Sequence, residues 1–125
     1  MSDTFGLKIG IEGEKAFKQS LREINNDFKV LGSEMKLATS SFDKNEKSIE
    51  SLTAKNKALE NQITAQKDKV ETLKSALDNA SSSFGENDKR TKAWQFQLNN
   101  AQADLNKMER EVSNNEKPLM NFQTR

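Results

Sequence analysis

The chain has 125 residues, 33% hydrophobic and 31% charged, and its Leu, Ile, Val and Phe together number 26, too few for a thick globular core. It contains no cysteine and no histidine, which excludes disulfide frameworks, thiolate nucleophiles, Cys/His zinc sites and imidazole base catalysis. With 20 basic against 19 acidic residues, the overall charge gives no reason to expect nucleic acid or an anionic membrane surface as partner.

In chain order, the first residues carry neither a basic n-region nor a following apolar run, so no secretory signal is expected. Phe5, Leu7, Ile9 and Ile11 alternate with Gly6, Lys8 and Gly10, the period-two pattern of a β-strand. A lone strand cannot satisfy its own hydrogen bonds. Leu7, Ile9 and Ile11 are therefore predicted to dock a partner by edge pairing. Glu12-Gly13 turns the chain into a first helix from about Glu14, with Phe17, Leu21, Ile24, Phe28 and Leu31 as its apolar stripe. Gly32-Ser33 is expected to end or kink it. Strand and helix make up a segment spanning 1–42.

At Thr39-Ser40-Ser41-Phe42-Asp43-Lys44-Asn45-Glu46 poor helix formers cluster, and Asp43 with Glu46 has capping-box spacing. A helix of about 60 Å is predicted from there to about Ser82. Stepping alternately three and four residues from Ile49 gives Leu52, Asn56, Leu59, Ile63, Gln66, Val70, Leu73, Leu77, Ala80 and Phe84, a narrow seam facing a partner helix. The flanking positions are mostly Lys, Glu, Ser, Asn and Gln, as on a solvated helix. Asn56 and Gln66 on the seam read as devices that hold register or oligomer state.

Ser81-Ser82-Ser83-Phe84-Gly85-Glu86-Asn87-Asp88 breaks the pattern, and Asn87 or Asp88 can cap a new helix. The same register then skips Thr91 and resumes at Trp94, Leu98, Ala101, Leu105, Met108 and Val112. An antiparallel fold-back at Gly85 pairs Leu77 with Trp94, Leu73 with Leu98, Val70 with Ala101 and Leu59 with Val112. Flanking charges do not choose, since Lys69 would face Asp104 but Glu60 would face Glu109. A continuous rod or another oligomer stays open beside the hairpin. The pair Glu116-Lys117 before Pro118 should end the last helix, leaving 118–125 as a flexible tail after a coiled-coil hairpin over 43–117. The fold class is thus mainly α, long coiled-coil helices with a short N-terminal strand.

Chemistry is not expected. Glu109 with Glu111, and Glu12 with Glu14, read as solvated carboxylates with no apolar pocket to tune them. Lys89, Arg90 and Lys92 beside Trp94 and Phe96 are too few charges for a stacking nucleic-acid groove, and Gly6, Gly10 and Gly13 lack the spacing of a phosphate loop. No catalytic, cofactor-binding or metal-ligating residue is predicted, no cofactor, no small-molecule substrate, no specific nucleic acid and no membrane anchor. Self-association is expected.

The stretches Leu7-Lys8-Ile9-Gly10-Ile11-Glu12-Gly13-Glu14-Lys15-Ala16-Phe17 and Phe28-Lys29-Val30-Leu31-Gly32-Ser33-Glu34-Met35-Lys36-Leu37, with Ser82 to Asp88, Trp94 and Leu98 to Gln102, resemble the N-terminal region of phage tail tape measure proteins of Gram-positive phages and prophages. The resemblance implies a long helical structural protein, assembled in the host bacterial cytoplasm and located in the virion tail. It implies tail tube and tail assembly proteins as partners and a part in tail length determination. Fully helical, 125 residues would span only about 190 Å, so the resemblance further implies an N-terminal segment or a truncated prophage remnant. A generic cytoplasmic coiled-coil adaptor or oligomerisation module is the alternative.

Overall fold

A computed structural model describes the backbone of residues 2–43 and 48–124 and the side chains of residues 10–43 and 48–119. Three helices account for nearly all of it: α1 (Ser2–Ser40), α2 (Ile49–Phe84) and α3 (Lys89–Thr124). At 36 to 39 residues each is about 54 to 58 Å long. Both α1 and α3 pack on α2. Each runs antiparallel to it, since Asn79 near the end of α2 reaches Gly10 near the start of α1, and Asn56 near the start of α2 meets Asn115 near the end of α3.

The turn between α2 and α3 is the best-specified local feature. Gly85 has φ 95° and ψ 157°, a backbone conformation that side chains with a Cβ rarely adopt. Its N–H closes the helix end onto the Ser81 carbonyl at 3.0 Å. Asp88 caps α3, its Oδ1 accepting from the Arg90 N–H at 2.8 Å. The Thr91 hydroxyl donates back to the Gly85 carbonyl at 2.7 Å, tying the first turn of α3 to the end of α2.

The core lies along α2. Val70, Leu73, Ala76 and Ala80 of α2, Trp94, Ala101 and Leu105 of α3, and Leu21 of α1 are buried together, with Phe17, Ile63, Leu77, Phe84 and Leu98 packed around them. Toward α1 the surface of α2 is built from small groups. A Cβ added at Gly10 would sit 2.5 Å from the Ser83 Cβ, and Ala54 and Ala58 line one cavity with Glu34 and Ala38.

Several sequence expectations are corrected. The alternating segment from Phe5 to Ile11, predicted as a docking strand, lies in α1, and no strand occurs among the described residues. A helix satisfies its backbone hydrogen bonds internally where a lone strand cannot, and Gly10 brings α1 close against Ser83 and Phe84 of α2. Nor does the helix break at Gly32. That glycine is exposed, with no neighbour within 4 Å of an added Cβ, and half-buried Phe28, Leu31 and Met35 hold the helix on both sides of it. The α2 cap is Ser48, whose hydroxyl accepts from the Ser51 N–H at 3.2 Å. Asp43 lies outside the helix, and Glu46, its predicted capping partner, lies outside the described residues. Pro118 sits inside α3, which continues to Thr124. The carbonyl a proline leaves unpaired belongs to the preceding turn, here at exposed Asn114 where water can bond it.

Candidate functional site: the polar layers of the helix seams

The seam carries the candidate site, and its residues can be placed one by one. Leu52, Leu59, Val70, Leu73, Trp94 and Leu105 are buried, as are the polar Asn56 and Gln66. Ile63, Leu77, Leu98, Met108 and Val112 are half-buried. Ile49, at the first position of α2, is exposed. Ile11 of the expected strand is exposed on α1, and the side chains of Leu7 and Ile9 lie outside those described.

Polar groups punctuate this seam, and each has a partner. Buried Gln66 donates from Nε2 to the Ala101 carbonyl at 2.8 Å, linking α2 to the backbone of α3. Asn115 Nδ2 donates to Asn56 Oδ1 at 2.9 Å one end of the bundle away. Asn79 Nδ2 donates to the Gly10 carbonyl at 3.2 Å, joining α2 to α1. The indole N–H of Trp94 donates to Glu14 Oε1 at 2.5 Å, which joins α1 to α3 directly across the top of the core. Lys18 stands 4.0 Å from the other Glu14 oxygen, one helical turn on. Among the described residues no buried side-chain nitrogen or oxygen lacks a partner.

Glu14 was expected on a solvated face, yet it is only 7% exposed. Stepping the seam register back from Phe17 lands on it. The same register lands on Thr91 and Asn115, so the signal for three of these polar positions was their seam phase, which a search for apolar residues passes over. Lys69, expected opposite Asp104, instead turns to α1, donating to Asn25 Oδ1 at 3.3 Å with its ammonium 5.8 Å from the centre of the Phe28 ring.

At the turn, Arg90 stacks on Phe84, its guanidinium carbon 3.4 Å from the ring centre. Its Nε and Nη2 donate to the two Asp88 oxygens at 2.9 and 3.0 Å. These bonds, then the Arg90 backbone N–H, lower the Asp88 carboxyl from its ordinary 3.8 to about 2. The Asp88 carboxylate in turn raises the Arg90 guanidinium above its usual value.

No group of three His, Cys, Asp or Glu among the described residues is placed to hold a metal ion. No described helix is long and apolar enough to cross a membrane. A misregistered pairing would strand buried Gln66, Asn56 or the Trp94 indole without a partner, at about 1 to 3 kcal/mol each. Comparison of the chain with protein-family models, curated proteins and solved structures finds no match.

Proposed function

We propose that the chain is a structural phage tail protein, akin to the N-terminal part of a tail tape measure protein, acting in tail assembly and tail length determination through helix association. What carries this reading is the sequence resemblance over Leu7 to Leu37 and Ser82 to Gln102. It is supported by a chain built from long helices whose polar groups serve to fix register. Its partners on this reading are copies of itself and the tail tube and tail assembly proteins, and its location is the virion tail.

Folded back on itself, each helix spans less than 60 Å, about a third of the extended chain. Length would therefore be set by what this unit docks to, or after the bundle opens, and not by the closed bundle as a ruler. That same compactness favours a second reading, a cytoplasmic coiled-coil adaptor or oligomerisation module.

The test is an in-frame deletion of these codons in the phage or prophage that encodes them, followed by electron microscopy of induced lysates. Tails that are absent or altered in length are the expected result. Tails of normal number and length would overturn the tail reading and leave the adaptor.

A further inference from the structure

Helix α1 carries two unlike stripes on the surface it does not bury. Lys15, Arg22, Lys29 and Lys36 recur at intervals of seven and are all exposed. A spacing of seven advances about 10.5 Å and drifts only about 20° per step, so the four stay on one flank. Glu23, Asp27, Val30, Glu34 and Leu37 follow at steps of four, three, four and three and are exposed as well. That is the spacing of a helix-pairing stripe, here lying off the core and about 100° around the helix from the basic one.

Neither stripe is used within the fold. Lys15, Lys29, Lys36, Asp27 and Glu34 form no ion pair among the described residues, and Arg22 and Glu23 bond only the neighbouring Gln19. Val30 and Leu37 remain 59% and 72% exposed, though apolar residues at pairing phase normally meet a partner.

We infer that copies of this chain associate side by side through α1, the basic stripe of one copy lying along the acidic and apolar stripe of the next. Like charges in each row exclude basic-to-basic and acidic-to-acidic pairing, while opposite rows complement each other. Because the two surfaces differ, the contact is heterologous and generates a ring or an open row. This deepens the self-association proposed above and does not depend on the tail assignment, which the deletion experiment tests separately.

Light-scattering mass of the full chain tests it. In about 0.05 M salt the mass should exceed the 14.1 kDa of one chain at least twofold, and it should fall as salt rises to about 1 M and the screening length shrinks to about 3 Å. Lys29→Glu with Lys36→Glu makes both stripes acidic from residue 27 to 37, and Asp27→Lys with Glu34→Lys makes both basic over the same turns. Each variant alone should run as a single chain with unchanged helical circular dichroism, and a 1:1 mixture should regain the wild-type mass. Leu37→Ser should weaken association at every salt concentration. A wild-type chain that stays monomeric at low salt, variants that associate by themselves, or a mixture that stays monomeric would each overturn the inference, the first indicating that these stripes meet a different protein.

Discussion

The two seams of α2 are built differently. Toward α3 it offers Val70 and Leu73 to Trp94, Ala101 and Leu105, closed by a four-residue turn with a glycine at positive φ. Toward α1 it offers alanines, Ser83 and Asn79, and α1 answers with glycines at one end, Phe17 and buried Leu21 next along, and half-buried Phe28, Leu31 and Met35 at the other end. Apolar area removed from water sets most of the stability of such contacts. Among the described residues α3 buries Trp94, Ala101 and Leu105 where α1 buries Leu21 alone, so the α2–α3 hairpin is the anchor, and α1 an arm held by Leu21, by close approach and by the Glu14–Trp94 bond. Local unfolding begins where buried apolar contact is least, so α1 should exchange its amide hydrogens faster than either partner.

The sharpest way to break that asymmetry is Trp94→Ala, which removes a buried core side chain that also bonds Glu14 of α1. It should cost about 3 to 5 kcal/mol, read as a large drop in melting temperature with loss of cooperativity. Glu14→Ala leaves the buried indole N–H without an acceptor at about 1 to 3 kcal/mol. Here hydrogen exchange should rise across α1 and stay near wild type in α2 around Leu59; an equal rise in both would merge the two seams into one cooperative unit. Asn56→Leu with Asn115→Leu replaces both members of a polar layer by apolar groups, a swap close to neutral or stabilising. Its expected signature is loss of a single register, visible as broadened NMR signals from the residues around positions 56 and 115.

Smaller effects separate the glycines. Gly32→Ala should stabilise α1 by about 0.5 to 1 kcal/mol, because the position is helical and open. Gly10→Ala, against Ser83, should instead loosen the first turns of α1, and opposite signs in paired melts would confirm that Gly10, unlike Gly32, is needed for close packing. The weakest effect is at the turn. With its pKa lowered, Asp88 contributes stability that is complete above its ordinary 3.8 and disappears as pH falls through about 2. Between pH 4 and 2 the wild type should therefore lose stability more steeply than Asp88→Asn.

Much of this fold was legible where two signals coincided. The seam from Leu52 to Leu77 and the glycine at 85 agreed with each other, and the hairpin follows from them. The partner of α1 was not legible, because a helix that docks on alanines leaves only its own stripe in the sequence. Gly6, Gly10 and Gly13 read as breakers or strand punctuation, whereas close contact with a second helix is what the glycines at 10 and 13 supply. Glu14 was passed over because a carboxylate on a charged surface looks the same in sequence as one bonded to an indole 80 residues away. The capping site shifted from Asp43 to Ser48 because many residues between Thr39 and Ser51 have the chemistry to cap, and packing of α2 selects among them.

Both seams require α1, α2 and α3 to fold back together, and small-angle scattering on the full chain in about 1 M salt, where the screening length is about 3 Å, measures that most directly. Three helices of 36 to 39 residues side by side predict a maximum dimension of about 60 to 80 Å at the mass of one chain. A dimension above about 110 Å at that mass would mean that α1 or α3 extends away from α2, and would contradict the fold-back on which both seams depend.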